Sequence, residues 1–584
     1  MGNNHQGKNT RVSTDIIDRK WIDVNIPCKA ACPIMTDIPG YIQAIMEGDF
    51  QKAYEINRRD NVLPGVLGRV CNRPCEPVCR HGRDGLGDSV AICHLKRCAA
   101  DFGLKPLKPE IESRGKKVCI IGAGPAGLTA ANDLALKGYD VTILEQFHQP
   151  GGMLRYGIPQ FRLPYDIVAA DVESITGLGV KIKTGTRVDN DSGLEKLKKE
   201  YDAVLLAGGC MLPKRINIPG IDSKGVYWGL DFMIASNSEA GAGPQPMKEG
   251  EGSATPAGKM SKNERLSPGT GMKKVVVIGG GFTAVDCTRM ALRLNAKEVT
   301  LAYRRTKDDM YVSAHELVAI EAEGIHLNFL VSPIGVETEA GSVSGIKFIR
   351  SRINRDRSIE PIAGSEFLME ADVLILAIGQ QAEGEIAAGK KNKTADIFFT
   401  AGDFRNGAST VIEAAADGRK AAADIHKFLS GLAGYEDKIE ITTVDETGRK
   451  RDYDFIPLQP MDEIPLHERR IKDKEVETGF SKEKSLIESR RCYLCHYNFQ
   501  IDIDRCIYCL ACIDVMPVDC IKMAKDVQVD EDGNMHYIAT DRWDEVQAIT
   551  IDNDKCIRCG NCVRACPVDC ISISKYKLEV IEHK

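Results

Sequence analysis

Two glycine-rich segments constrain the fold of this 584-residue chain more than any other feature. In each, a run of β-branched and apolar residues enters a glycine turn, and a predicted helix follows. In a strand–turn–helix unit the first glycine permits the tight turn, the second admits a pyrophosphate, and the third lets the helix pack on the strand. The sequence therefore predicts two dinucleotide-binding units, with turns at Gly122, Gly124 and Gly127 and at Gly279, Gly281 and Ala284.

The residue that follows the second strand differs between the two units. Glu145 ends the first unit and can accept hydrogen bonds from the ribose hydroxyls of an adenosine. Arg304 and Arg305 stand at the matching place in the second unit. Because a guanidinium can bind a ribose 2′-phosphate through paired hydrogen bonds, the second unit is predicted to prefer NADP(H) over NAD(H).

The chain has 21 cysteines, many at Cys-x2-Cys or Cys-x3-Cys spacing, and no secretory signal, so metal ligation is favoured over disulfides. Each 4Fe-4S cluster takes about four thiolates. Seven cysteines precede the first strand–turn–helix unit, one too few for two complete sets. We predict one cluster on Cys32, Cys71, Cys75 and Cys79, and a second on Cys28, Cys93 and Cys98 with an unidentified fourth ligand. A zinc site with a few buried thiols is the alternative.

The second cysteine field is an internal duplication near the C-terminus. Each copy begins with the Cys-x2-Cys-x2-Cys-x3 spacing of a bacterial two-cluster ferredoxin, which it resembles. In that pattern the fourth thiolate of one copy crosses to the cluster of the other. A complete set is therefore predicted on Cys506, Cys509, Cys512 and Cys566.

The other ferredoxin set lacks a ligand, because Met516 replaces the crossing cysteine. Three solutions remain open for Cys556, Cys559 and Cys562: a thiolate from Cys520, a thiolate from the Cys492/Cys495 pair, or a three-iron cluster. The Cys492/Cys495 pair could instead belong to a further metal site. We favour a replacement thiolate, and the chain as a whole is expected to carry three to four 4Fe-4S clusters.

Further segments carry a resemblance to a known family. Gly151-Gly152 through Pro159, Tyr201 through Gly209, and Thr400-Ala-Gly402-Asp403 resemble the glutamate synthase small-subunit family. That family includes the large subunit of NADH-dependent ferredoxin:NADP⁺ oxidoreductase. The resemblance implies that the first nucleotide is FAD, with Gly151 and Gly152 near its pyrophosphate and Gly402 and Asp403 near its ribityl chain. It also implies that the second is NADPH and that the N-terminal cysteines hold paired clusters.

The expected fold class is α/β, with tandem Rossmann-like FAD and NADP domains between a helical iron–sulfur domain and an α+β ferredoxin-like domain. The predicted segments are a helical iron–sulfur domain (1–110), the first part of the FAD domain (111–235), a flexible insertion (236–272), the NADP domain (273–390), the FAD return segment (391–434), a linker (435–490) and the ferredoxin-like domain (491–584).

The number of electrons that each expected cofactor exchanges indicates the function of the chain. A nicotinamide exchanges two electrons as hydride and each cluster exchanges one, so a flavin must stand between them. We expect an oxidoreductase subunit that passes electrons to other redox subunits of a hetero-oligomer, in a transhydrogenase or electron-bifurcating complex. The alternatives are a glutamate synthase small subunit with a glutamine-dependent partner, and a non-catalytic electron-carrying scaffold.

Charge and hydropathy argue against nucleic-acid binding and against membrane insertion. The net charge of −6 provides no basic field for nucleic acid. No apolar run reaches the length of about 18 residues that a membrane span requires. The chain is therefore expected to be a cytoplasmic protein, and its clusters suggest an anaerobic host.

Overall fold

The computed structural model describes residues 19–83, 87–103, 109–188, 191–237, 273–382, 397–529 and 535–583. Two five-stranded parallel sheets form the centre of the molecule, with a helical unit before them and a unit of short helices and antiparallel strands after them. The predicted fold class is confirmed. Within the described ranges, no helix is long and apolar enough to cross a membrane.

The N-terminal unit consists of short helices, several of them started by a proline in the first turn or by an aspartate cap. Asp37 and Asp49 accept backbone N–H bonds from Gly40 and Lys52, which satisfies donors that the first helical turn leaves free. The cysteines lie in and between these short helices. The helices are α1 (Arg19–Asn25), α2 (Pro27–Ala30), α3 (Ile38–Met46), α4 (Phe50–Asp60), α5 (Pro64–Val70), α6 (Arg80–Arg83) and α7 (Ile92–Phe102).

The first parallel sheet holds the first glycine turn. Its central strands are short runs of mostly buried apolar residues, as expected for a sheet covered on both faces, whereas the edge strand Lys181–Lys183 exposes both of its lysines. The elements are β1 (Lys117–Ile121), α8 (Pro125–Leu136), β2 (Asp140–Leu144), α9 (Met153–Tyr156), α10 (Tyr165–Thr176), β3 (Lys181–Lys183), α11 (Asp191–Glu200) and β4 (Ala203–Leu206).

The second parallel sheet holds the second glycine turn, and an antiparallel sheet is attached to it. The elements, in chain order, are β5 (Leu212–Pro213), β6 (Val226–Trp228), α12 (Gly229–Asn237), β7 (Lys274–Ile278), α13 (Phe282–Arg293), β8 (Glu298–Tyr303), α14 (Ala314–Ala322), β9 (His326–Phe329), β10 (Val331–Glu339), β11 (Ser342–Ile353), β12 (Ile359–Pro361), β13 (Phe367–Glu370), β14 (Val373–Leu376) and β15 (Gln380–Gln381).

Strand order corrects one predicted boundary. The second parallel sheet runs β6-β14-β7-β8-β9, so β6 and the helix after it belong to the NADP unit and not to the first part of the FAD unit. A boundary at residue 235 is therefore too late, because a three-residue apolar strand does not reveal from sequence which sheet it joins. Of the predicted insertion 236–272, Ser236 and Asn237 end α12, and the rest lies outside the described residues.

The chain then returns to the first sheet and ends in the C-terminal unit. The return strand β16 pairs with β4, which gives the first sheet the order β16-β4-β1-β2-β3. The remaining elements are β16 (Phe398–Thr400), α15 (Asp403–Asn406), α16 (Val411–Ser430), β17 (Gly434–Val444), α17 (Lys482–Ser489), β18 (Tyr497–Ile501), α18 (Ala511–Asp514), β19 (Ile521–Val529), β20 (Met535–Ala539), β21 (Ala548–Ile551), α19 (Asn561–Ala565) and β22 (Ile571–His583).

The sequence duplication is visible as a structural one. Strand β18 pairs with β22 and β19 pairs with β21, so each pairing joins one copy of the repeat to the other. Strand β17 also pairs with β22, from Gly434 opposite His583 to Val444 opposite Ile573. The predicted linker 435–490 therefore begins as an edge strand of the C-terminal unit, and the boundary at 491 is corrected accordingly.

Candidate functional site

One cavity of about 2440 Å³ lies between the two parallel sheets, and both glycine turns line it. A typical single-ligand pocket measures about 300–1,000 Å³. The cavity is thus large enough for two extended ligands lying end to end. Its wall also includes Cys71 from the N-terminal unit, so the nucleotide cavity reaches the first cysteine field.

The first turn leaves open space where a dinucleotide phosphate would lie. A Cβ atom on Gly124 would have nothing within 4 Å, and this residue caps the N-terminus of α8, where free N–H groups attract anions. Gly122 and Gly127 are required for another reason. A Cβ on Gly122 would stand 2.5 Å from the carbonyl oxygen of Ala207, and one on Gly127 would stand 2.0 Å from that of Gly122.

Glu145 fixes the shape of this turn. Its carboxylate is buried, and it accepts the backbone N–H of Ala123 at 2.7 Å and that of Phe147 at 2.9 Å. Burial raises the pKa of Glu145, while these backbone bonds oppose the rise. Each carboxylate oxygen can accept more than one bond, so acceptor capacity remains for a ribose hydroxyl at the cavity wall.

The second turn has the same open geometry. A Cβ on Gly281 would meet nothing within 4 Å, and Gly281 caps α13. The ring of Tyr303 covers Gly280. Arg304 lines the cavity, is exposed to it, and makes no hydrogen bond or ion pair to the described part of the protein. Its guanidinium is therefore available to an anion in the cavity.

The predicted nucleotide residues fall into two groups. Some line the cavity, and the others are not part of its wall. Those on the wall are Gly122, Gly124, Glu145, Gly152, Asp403, Gly279, Gly281 and Arg304, and those outside it are Gly127, Gly151, Gly402, Ala284 and Arg305.

An ion-pair network that sequence patterns did not reveal joins the two nucleotide units. Arg162, in the first unit, donates to Asp286 at 2.8 Å and to Glu316 at 2.5 Å, both in the second. All three side chains are largely buried, and Arg162 lines the cavity. The network fixes one sheet against the other across the cavity.

Four thiols of the N-terminal unit, of which Cys71 lines the cavity, form a group that we call the flavin-side thiols: Cys32, Cys71, Cys75 and Cys93. The Cys93 thiol is within hydrogen-bonding reach of both Cys71 and Cys75. Lys96 is buried and faces all four. Burial lowers the pKa of Lys96, but the charges of the neighbouring thiols raise it by more.

A second group, the junction thiols, combines residues from both ends of the chain: Cys28, Cys79, Cys492 and Cys495. Cys28, Cys492 and Cys495 are buried and Cys79 is half-buried. Burial raises the pKa of the Cys28 thiol, and the charges of Cys495, Cys492 and Cys79 raise it further.

These positions correct the predicted N-terminal grouping. Cys79 lies with Cys28 rather than with Cys32, and Cys93 completes the set that Cys79 was expected to complete. Cys98 belongs to neither group, because its thiol faces the backbone carbonyl of Phe480 at 4.0 Å. Cys93 and Cys98 lie on one helix but point to different surroundings, which spacing alone does not reveal.

The C-terminal unit contributes two further groups. The outer ferredoxin thiols, Cys506, Cys509, Cys512 and Cys566, surround one small space together with Cys570, whose sulfur is 3.4 Å from that of Cys566. The inner ferredoxin thiols are Cys520, Cys556, Cys559 and Cys562. Cys520 is hydrogen-bonded to Cys556, which raises the pKa of Cys520 and lowers that of Cys556. Of the three solutions left open, the structure places Cys520 beside the incomplete set.

The four groups lie in series. Tyr41 faces thiols of the flavin-side group and Cys28 of the junction group. Arg80 interacts with Cys495 of the junction group and Cys556 of the inner group. Cys562 of the inner group interacts with Cys512 of the outer group. Since Cys509 is exposed, the series runs from the nucleotide cavity to the protein surface.

Comparison with known proteins agrees with this arrangement. The pyridine nucleotide-disulphide oxidoreductase family model matches residues 116–404. The model for dihydropyrimidine dehydrogenase domain II, 4Fe-4S cluster, matches residues 22–106, and the 4Fe-4S binding domain model matches residues 549–572. The open glycine turns and the grouped thiols fit FAD, NADP(H) and 4Fe-4S clusters, which are the cofactors that these families indicate.

Three relatives extend the comparison. The NADP(+)-dependent formate dehydrogenase subunit beta of Moorella thermoacetica is 36% identical over 81% of this chain and 71% of its own length. The NADPH-Fe(3+) oxidoreductase subunit beta of Geobacter sulfurreducens is 33% identical over 80% of this chain and 75% of its own length. The glutamate synthase [NADPH] small chain of Escherichia coli is 35% identical over 69% of this chain and 88% of its own length. The chain therefore belongs to the glutamate synthase small-subunit family, as an NADPH-dependent flavin and iron–sulfur oxidoreductase subunit with an added C-terminal ferredoxin-like unit.

Proposed function

We propose that this chain takes hydride from NADPH at the central cavity and delivers single electrons through its C-terminal unit to a partner redox subunit, in a transhydrogenase or electron-bifurcating complex. The observation that carries the proposal is the cavity lined by both glycine turns and by Cys71, from which the thiol groups lead to exposed Cys509. A bound flavin can accept hydride and release electrons singly, which is the chemistry that this order requires.

The residues of the cavity bind and orient rather than react. The N-termini of α8 and α13 supply N–H groups to the two pyrophosphates, Glu145 receives a ribose, and Arg304 receives the 2′-phosphate of NADPH. The bonds from Arg162 to Asp286 and Glu316 keep the two nucleotide units in register, so that the nicotinamide and the flavin can meet.

The C-terminal unit supports a role in docking. Its outer thiol group includes exposed Cys509, and the neighbouring Ile507 is 59% exposed. An exposed apolar side chain beside a redox group suits contact with another protein, since electron transfer falls off with distance. Relatives named as beta subunits and small chains support assignment to a multi-subunit complex.

A glutamate synthase small-subunit role is the second candidate, favoured by the match over 88% of the Escherichia coli small chain. That match covers 69% of this chain, and the ferredoxin-like unit argues for a different acceptor. A non-catalytic scaffold is disfavoured because both glycine turns remain open to a ligand.

Anaerobic co-purification from the native host, followed by mass spectrometry of the captured subunits, tests the proposal. We expect flavin- or iron–sulfur-containing subunits that are reduced when NADPH is added. Capture of a glutamine-dependent amidotransferase that forms glutamate in the same assay would establish the second candidate instead.

A further inference from the structure

We propose that Cys28, Cys79, Cys492 and Cys495 hold a 4Fe-4S cluster that joins the N-terminal helical unit to the C-terminal unit. This is a polynuclear iron–sulfur site whose four ligands come from opposite ends of the chain. It deepens the proposed function, on which its role as an electron relay rests, but the ligand assignment itself does not depend on the acceptor.

The backbone around these thiols is fixed by contacts between the two ends. Arg491, next to Cys492, donates to the carbonyl oxygens of Asp88 and Ser89 at 2.5 and 3.1 Å. Glu488 accepts the backbone N–H of Ala91 at 2.8 Å. These side chains are buried, so the Cys492–Cys495 loop is held against the segment that follows Cys79.

A second set of contacts fixes the loop from the other side. Arg449 is fully buried and donates to the carbonyl oxygen of Cys492 at 2.9 Å and to that of Ile557 at 2.6 Å. Ile557 lies in the loop of the inner ferredoxin thiols. The junction thiols are thereby held beside that group.

Buried positive charge points to an anion at this place. The side chain of Arg80 is 1% exposed; its Nη1 lies 3.9 Å from the Cys495 sulfur, and its Nη2 is buried without a hydrogen-bond partner in the described ranges. Arg558 is also buried and faces Arg80. Asp554 supplies one nearby carboxylate, at 3.4 Å from Arg80. Two buried guanidinium groups near a single carboxylate are a costly excess of positive charge, and a cluster with four thiolates carries net negative charge that offsets it.

The geometry favours a polynuclear cluster over a single zinc ion. Zinc binds thiolates at about 2.3 Å, which places all four sulfurs within about 4.6 Å of one another. Across the described ranges, no three cysteine sulfurs lie within 4.8 Å of one another. Three buried thiols and one half-buried thiol at wider spacing, beside the buried guanidinium of Arg80, suit a cubane.

The assignment also completes the cysteine count. With the junction thiols included, four groups of four cysteines account for every cysteine outside Cys98, Cys119, Cys210, Cys287 and Cys570. No non-cysteine ligand or three-iron cluster is then needed.

The test is the metal content and spin count of the anaerobically purified full-length chain. We expect about 16 iron per chain and four reduced-cluster spins in the unaltered protein. Cys492→Ala/Cys495→Ala should lose about four iron and one spin while keeping its FAD. The matched control, Cys98→Ala, removes a buried thiol outside the groups and should lose none.

Full iron in the double variant, or stoichiometric zinc in the unaltered protein, would overturn the assignment. If the double variant does not fold, the unaltered chain still decides, because a content of about 12 iron and three spins contradicts a fourth cluster. Loss of NADPH oxidation with all 16 iron retained would count against the proposed function and leave this site standing.

Discussion

Arg304 is the residue on which nucleotide choice should depend most. It lines the cavity, is solvent-exposed, and has no competing carboxylate partner in the described part of the chain. A hydrogen bond to a charged group contributes about 1.5–3 kcal/mol. Because the site is exposed, we take the lower value, which corresponds to a factor of about ten in binding. Arg304→Gln should lower kcat/KM for NADPH about tenfold and leave kcat/KM for NADH unchanged.

The assay is flavin reduction under anaerobic conditions with each nucleotide in turn. Lys307→Gln is a matched control, since it removes a cation three residues away that is paired with Glu321 at 3.3 Å and does not line the cavity. Arg305→Gln tests the neighbouring arginine, which does not line the cavity and should have the smaller effect. An unchanged NADPH/NADH ratio in Arg304→Gln would refute our account of 2′-phosphate recognition.

Three further substitutions test the cavity and its supports. Gly124→Val places a side chain in the open space beside the first turn. The variant should fold with its full iron content but purify without FAD. Normal flavin content would contradict the assigned pyrophosphate position. Arg162→Met leaves buried Asp286 unpaired and should lower the free energy of unfolding in anaerobic urea by about 3–5 kcal/mol. A loss below about 1 kcal/mol would show that the network does not hold the two nucleotide units together. Asp171, which accepts the N–H of Val66 at 2.9 Å, has its pKa raised by burial to about 6. A protein is stabilised less as the pH rises through the folded-state pKa of an acid whose pKa is raised by folding. The unaltered chain should therefore lose about 1 kcal/mol of unfolding free energy between pH 5 and 7, relative to Asp171→Asn. Equal pH dependence of stability in the two proteins would contradict this.

The nucleotide turns could be predicted from sequence because their chemistry is local. Gly122, Gly124 and Gly127 lie within six residues, and strand, turn and helix follow one another directly. The outer ferredoxin thiols could also be predicted from the sequence, because the cysteine spacing indicates that the fourth thiolate crosses between repeats.

The grouping of the junction thiols could not be predicted from sequence patterns in the same way. Arg80 and Cys495 are 415 positions apart in the chain, and no local pattern links them. A cysteine count could have suggested the pairing. The seven N-terminal cysteines are one too few for two clusters, and the Cys492-x2-Cys495 motif has too few cysteines for a cluster of its own. Arg80 and Lys96 were missed because a buried cation is recognisable only once its surroundings are known.

The most direct test of the account is rapid mixing of the anaerobic holoprotein with NADPH, followed by optical absorbance and by freeze-quenched electron paramagnetic resonance. We predict that the flavin absorbance bleaches first and that reduced-cluster signals then grow at the expense of reduced flavin. Bleached flavin with all clusters still oxidised, or clusters reduced while FAD-free protein is mixed with NADPH, would contradict the electron path from cavity to surface.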